Sequence, residues 1–427
     1  MAGGCKNYQF DVPEIRNDLV PPPCVMMNKF KFPAAFASLE HINFRLFWSV
    51  QLISLIGIWM QITAQGWLVY DLTSSKFYLG VINAFGGLPI LFLSPFGGII
   101  ADHFNRKKLL VFTQCAFSSG AFLIGILISM KLITFWALVA VAFAGGIVNA
   151  IDSPTRMAFI VELIDKKSLG NAIALNSLGF NVARVIGPAL AGYLVGAIGI
   201  EVCFYLNAMA FIPAIFTTHF LKGDFSAKVT MENSVKEALL GGARYVRANK
   251  KVFYSLMLVA TSSTFVMPFG VLMPVYARDL LKVGAQGLGT LLAFAGFGAL
   301  IGAYVLAQFS HRIDFEKFIF YSTIMLAVSL FFFAFSTIFV WSCLFLVLLG
   351  FGIVVQVASI NTYIQGVVPN ELRGRVMSFF TLCFMGFMPI GAFQAGVVSH
   401  FIGAPLSLAL GAAIVFIPVI IMLFLKR

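Results

Sequence analysis

Two groups of residues could do chemistry in a chain that is otherwise strongly apolar. The first is Gly98-Ile-Ile-Ala-Asp102-His-Phe-Asn105-Arg106-Lys107-Lys108, one acid and three bases in a tight turn between two long hydrophobic runs. Charges so placed suit an ion-pair latch; the plainer alternative is a solvated basic loop, which short interhelical loops of membrane proteins commonly are. The second is Arg184, a cation in the middle of an apolar run, where it must face a cavity or find partners. Two readings of Arg184 stand side by side: it binds an anionic or catecholate-like substrate, or it is a structural arginine satisfied by carbonyls and by the amides of Asn176 and Asn181. Replacement by glutamine separates them, sparing assembly under the first reading and costing the folded protein under the second.

Weaker polar groups join these two. Gln51, Gln61 and Gln65 with Trp59, then Asn83, Asn149, Gln356, Asn361 and Tyr363, interrupt apolar runs rich in Phe and Met. Such residues prefer a bundle interior, either as interhelical hydrogen bonds or as the polar points of a large adaptable pocket for bulky amphiphiles. Gln61 and Gln65 are the strongest pocket candidates, because Met60, Thr63 and Ala64 give them a mixed face. All 17 acidic residues fall in tails, loops or helix ends. A proton-driven transporter needs an alternately exposed protonatable group. Asp152 is the best placed for that work, although a gate ion pair with Arg156 or a loop base accounts for it more simply.

Other chemistries find no footing. The six cysteines form no CxxC pair and the five histidines show no ligand spacing, so no metal site and no cofactor is expected. No nucleophile–base pair lies at depth, which argues against an intramembrane enzyme. The net charge of +12 is spread between the apolar runs, with no basic domain of the kind nucleic acid would require.

The elements that position these residues follow from composition. Hydrophobic residues make up 60% of the 427, charged residues 11%, and Phe occurs 47 times, which defines a polytopic membrane protein. Twelve segments reach the roughly 20 residues that a helical crossing needs: 44–70, 77–101, 107–130, 133–153, 170–198 and 202–221, then 253–280, 286–309, 316–337, 339–363, 375–402 and 405–425. The expected organisation is a polar N-terminal tail (1–42), a six-helix bundle (43–221), a linker (222–252) and a second six-helix bundle (253–427). Met26 and Met27 offer a later start within the tail. In the linker, Ser234-Val-Lys-Glu237 has capping-box spacing. Val235, Leu239, Gly242 and Val246 then share one helical face, as in an interfacial helix.

Of the 29 Lys and Arg, 24 lie in the terminal regions and even-numbered loops, and only Lys76, Lys131, Arg278 and Lys282 in the odd-numbered ones. The positive-inside rule places both termini in the cytoplasm. Asp152-Ser-Pro-Thr-Arg156 after span four occupies the place that Glu371-Leu-Arg373-Gly-Arg375 holds after span ten, as expected of two related halves.

These features together resemble the major facilitator superfamily, over residues 36 to 427. Gly98-x-x-Ala-Asp102-x-x-x-Arg106-Lys107 is similar to that superfamily's signature between spans two and three, with Asn105 where a Gly is usual. Trp67-Leu-Val-Tyr-Asp71-Leu-Thr-Ser-Ser, Asp152-Ser-Pro-x-Arg156, and Asn181-Val-Ala-Arg184-Val-Ile-Gly187-Pro188-Ala-Leu-Ala-Gly192 resemble the branch that includes enterobactin exporters and macrolide efflux proteins.

The resemblance implies an all-α integral membrane protein of twelve transmembrane helices in two pseudo-symmetric six-helix bundles, working by alternating access. It implies a cytoplasmic gate of Gly98, Asp102, Arg106, Lys107, Asp152, Arg156, Arg373 and Arg375, with Asp102 meeting the start of span eleven in the outward-facing state. A carboxylate at a helix N-terminus gains about 0.3–1 kcal/mol from the helix dipole. Gly187, Pro188 and Gly192 are implied as a hinge in span five, against the plain alternative of a packing kink.

The functional expectation is a monomeric exporter in the bacterial inner membrane, embedded in the lipid bilayer. It moves a bulky amphiphilic small molecule, a siderophore, macrolide or other drug, out of the cytoplasm in exchange for protons. The rival readings are a lysophospholipid-type transporter and a non-transporting membrane sensor.

Overall fold

The structure is a computed structural model that describes residues 34–165, 167–221, 235–309 and 314–425. The tail through residue 33, the two candidate start methionines and the Ser234 cap lie outside the described residues.

The described chain is helical. The first half comprises α1 (Ile42–Thr73), α2 (Lys76–His103), α3 (Arg106–Ser129), α4 (Phe135–Glu162), α5 (Leu169–Ala197) and α6 (Ile200–Phe220). A short linker helix α7 (Val235–Ala248) follows. The seventh crossing, Lys250–Leu280, is built from α8 (Lys250–Phe265), α9 (Phe269–Val275) and a π-helical turn, Tyr276–Leu280. Then come α10 (Gly284–Phe309), α11 (Phe315–Ala334) and α12 (Phe339–Val367). The eleventh crossing, Asn370–Ile402, joins α13 (Asn370–Thr381), a second π-helical turn and α14 (Phe387–Ile402); α15 (Ala404–Leu425) closes the chain.

Among the described residues eleven crossings are long and apolar enough to span a bilayer, and the apolar stretch Ala404–Ile420 of α15 is a shorter twelfth. Side chains such as Phe92, Phe112, Trp136, Phe216 and Phe401 are more than half exposed, as expected where lipid replaces water as solvent.

Helix starts follow local sequence. Asn105 caps α3, its side chain accepting from the Lys108 amide at 3.1 Å. Its backbone is extended, with φ of −61°, so this turn has no need of the usual glycine. Asn249 caps α8 in the same way, and Asp314 caps α11 by accepting from the amides of Glu316 and Lys317. Those bonds and the Lys317 ammonium hold the Asp314 carboxyl below its ordinary range.

Packing repeats between the halves. In the first, α1 lies on α5 and α6, α2 on α4, and α3 on α4 and α6. In the second, α8 lies on α14 and α15, α10 on α12, and α11 on α12 and α15. The principal contacts between halves, α5 with α10 and α2 with α14, exchange with each other under the same correspondence. That is the pattern of a pseudo-two-fold axis. Residues Ala34–Glu40, expected to belong to the polar tail, form a 3-10 segment docked on α5, with the Ser38 amide donating to Asn171 at 2.9 Å. The linker helix α7 packs on α13: Gly242 is buried against Arg375 and Phe379, and Val246 joins the apolar cluster there.

Candidate functional site

The two ends of the bundle differ. At the end where α1 finishes and α2 begins, poor in basic residues and called here the lean end, the halves are joined. The Tyr70 hydroxyl donates to Asp279, and Arg278 pairs with Asp71 at 3.1 Å while its guanidinium lies 5.7 Å from the Tyr70 ring centroid. The π-helical turn Tyr276–Leu280 carries both Arg278 and Asp279 toward α1, the kind of place where such turns concentrate.

Small residues bring the backbones together below this cluster. A Cβ added to Gly80 would stand 2.8 Å from both the Ala392 carbonyl and the Gly396 Cα, and one on Gly192 would stand 2.7 Å from the Ala285 carbonyl and 2.9 Å from the Gly289 Cα. Contacts this short require glycine on at least one side.

At the opposite end, rich in Lys and Arg and called the basic end, the charged groups bind within their own half. Arg106 pairs with Asp102 at 3.2 Å and also with Glu162 at the end of α4. Lys107 donates to the Leu221 carbonyl at 2.9 Å. Asp152, 2% exposed, accepts from Thr113 at 2.7 Å and pairs with Arg156. In the second half Glu316 pairs with Lys251 at 2.6 Å and accepts from Tyr363 at 3.1 Å.

Among the described residues no ion pair or hydrogen bond joins Asp102 to Arg373 or Arg375. Asp102 is 60% exposed, Gly98 has no neighbour within 4 Å of an added Cβ, and Arg375 instead packs on Gly241 and Gly242 of α7. The expected latch is therefore apart in this structure, and its residues brace the α2–α3 turn against α4 and α6.

The other sequence candidates divide. Gln61 accepts from Asn207 of α6, and Gln356 donates to Thr323 of α11 at 2.7 Å. Both amides serve contacts between helices of one half, a role that departs from the pocket expectation for Gln61. Asn83 donates to the Leu79 carbonyl of its own helix at 2.8 Å, and Asn361 accepts from Gln365. Gln65 and Asn149 form no hydrogen bond among the described residues, and Gln65 is only partly buried.

Arg184 stands near the midpoint of α5. Its guanidinium carbon lies 5.7 Å from the Trp59 ring centroid on α1, and Trp59 meets Phe180 edge-on at 5.5 Å. Gly187 and Pro188 are buried within α5, which runs unbroken from Leu169 to Ala197. Proline withholds the amide that the carbonyl four residues earlier would normally accept from. That carbonyl, of Arg184, is the one that Gly296 of α10 approaches, 2.8 Å from an added Cβ.

Sequence reasoning passed over Tyr70, Arg278 and Asp279 as components of a site. The available signal was the scarcity of charge in the odd-numbered loops, which makes Asp71, Arg278 and Asp279 conspicuous as a set. Among the described residues no group of three or more His, Cys, Asp or Glu gathers in a way that would hold a metal ion.

The profile of the transmembrane secretion effector family matches residues 33–427. The chain is 23% identical to the staphyloferrin A transporter of Staphylococcus aureus over 84% of its length and 90% of that protein. It is 23% identical to macrolide efflux protein A of Streptococcus pyogenes over 85% of its length and 90% of that one. Among solved structures, the nucleoside transporter NupG superposes with a TM-score of 0.72 at 13% identity, covering 91% of this chain and all of the other.

Proposed function

We propose that this chain, which belongs to the transmembrane secretion effector family within the efflux branch of the major facilitator superfamily, a family of transporters and not of enzymes, exports a bulky amphiphilic small molecule by alternating access. The observation that carries the proposal is the inequality of the two ends: hydrogen bonds, an ion pair and glycine contacts join the halves at the lean end. At the basic end the charged side chains bind inside their own halves. By the positive-inside rule the basic end faces the cytoplasm of a bacterial inner membrane, with both termini there. Cargo then enters between the halves from the cytoplasm, as an exporter requires, and the lean end opens to release it.

In the opposite state the Asp102 turn closes on the start of α13. Arg373 and Arg375 supply counter-charge there, and the helix N-terminus adds its dipole. Closure competes with the packing of Arg375 on α7, which gives the linker a part in the cycle. Gly187, Pro188 and Gly192 act where α5 bears on α1 and α10, so movement of one half against the other pivots there. Trp59, Gln65, Asn83, Asn149, Arg184 and Asn361 are the cargo-facing set; Gln61 and Gln356 hold their halves in shape. Tyr363 works with Glu316 at the cytoplasmic rim.

Siderophores and macrolides are the first test cargoes, a choice supported by the relatives named for staphyloferrin A transport and macrolide efflux. The exchanged ion is the proton, and the transporting unit is one chain. Uptake of a carboxylate siderophore, a macrolide and a lysolipid into inverted membrane vesicles, each with and without an inside-acid gradient, tests this. The expected result is gradient-dependent uptake of one class. Equal movement of every active compound without a gradient would refute proton exchange, and no uptake of any would refute export.

A further inference from the structure

Arg184 narrows the cargo. It is a cation near the midpoint of α5. The described acids stand at helix ends or in turns except Asp152, the most deeply buried of them, which lies ten residues inside the end of α4 and pairs with Arg156. A guanidinium has five N–H donors. Among the described residues no hydrogen bond or ion pair engages those of Arg184, whose recorded contact is the face of Trp59. The structural reading has carbonyls and the amides of Asn176 and Asn181 satisfy it. Instead Asn181 donates to the Ser177 carbonyl at 2.9 Å, and among the described residues Asn176 forms no hydrogen bond.

A guanidinium held over an indole by cation–π attraction keeps its N–H donors for other partners. The residue also sits at a stop. From Arg184 toward the lean end, α5 is pressed on α10 through Gly296 and Gly289. A molecule advancing from the basic end meets Arg184 as that seam begins.

We propose that Arg184, backed by Trp59, is the recognition point for an organic anion, and that the cargo carries a carboxylate or an equivalent two-oxygen acid group that takes both guanidinium donors. The unpaired cation is satisfied when cargo binds, and a cationic drug is repelled from the same depth. This deepens the export reading and rests on it only for the direction of movement.

The test uses purified full-length protein in detergent and in vesicles, with citrate and a citrate-based carboxylate siderophore as anionic probes and a macrolide amine as the cationic one. Wild type is compared with Arg184→Gln and Arg184→Lys. The anionic siderophore is expected to quench tryptophan fluorescence and raise the melting temperature of wild type. Arg184→Gln should weaken that binding at least tenfold while melting no lower than wild type without ligand, because it removes an unpaired charge from the membrane interior; Arg184→Lys should recover part of the affinity. Failure of both carboxylates to bind, binding unchanged in Arg184→Gln, or a lower melting temperature of that variant without ligand would overturn the site. Macrolide uptake equal in wild type and Arg184→Gln would overturn the anion assignment and leave export standing. Carboxylate binding without vesicle uptake would refute export and leave the site standing.

Discussion

At the lean end Asp71 and Arg278 are 207 residues apart in the chain and join the two halves, whereas at the basic end Asp152 and Arg156 are one helical turn apart and, with Thr113 of α3, join only helices of their own half. Both are carboxylate–arginine pairs. Their energetic roles differ because of where their partners are anchored. Under the alternating-access proposal, a pair within one half contributes to that half in every state, while a pair across the halves contributes to one state only and therefore sets the balance between states. Burial differs in the same direction: Asp152 is almost fully enclosed and Asp71 is 59% exposed.

The sharpest way to break this contrast is at Asp152. Asp152→Asn leaves Arg156 without its counter-charge beside a buried Thr113 hydroxyl, and a loss of about 3 kcal/mol of stability is expected. Thermal melting should register that loss, with distances between the halves unchanged in the protein that remains folded. A change in those distances at unaltered stability would reverse the role assigned to the pair.

Next in size is a wedge at the lean end. Gly192→Leu inserts a side chain where the α10 backbone lies under 3 Å from an added Cβ. Overpacking of about 1–3 kcal/mol falls on the closed state alone, so transport should drop roughly tenfold or more while the melting temperature changes little. Retained transport would show that α5 and α10 need not meet.

Tyr70→Phe removes one hydrogen bond to the Asp279 carboxylate, worth about 1.5 kcal/mol. It should shift the state population about tenfold toward an open lean end, read as faster labelling of a cysteine placed at the neighbouring Ser75. Asp71→Asn should act in the same direction but by only about 0.2–1 kcal/mol, because the pair is exposed. Its effect should fade in high salt, whereas that of Tyr70→Phe should persist.

The sequence made the architecture plain for a physical reason. A bilayer imposes a length and a composition on every crossing, so span limits fall within about five residues of the observed helices, except that α4 runs nine residues past the expected end at 153, carrying Asp152 and Arg156 inside the helix; the repeat of charged turns pointed to the two halves. Local capping was equally accessible: Asn105, which breaks the expected pattern, proves to be the cap of α3. The joining of the halves was hidden because it depends on which state is populated. Asp102 carries a recognisable motif yet is free of the other half here, while Asp71 and Asp279 carry only short fragments of pattern and yet hold the closure. Amides were ambiguous for a related reason. Nothing in the neighbourhood of Gln61 announces Asn207, which reaches it from a helix 146 positions away.

The most direct test of the account is a pair of spin-label distances read in one vesicle preparation during transport. One pair, at Leu72 and Lys282, spans the lean end; the other, at His103 and Gly374, spans the basic end. Without cargo or gradient the first distance should be short and the second long. With cargo and an imposed proton gradient the first should lengthen as the second shortens. Distances that rise and fall together, or that stay fixed while cargo moves, would contradict alternating access between these two ends.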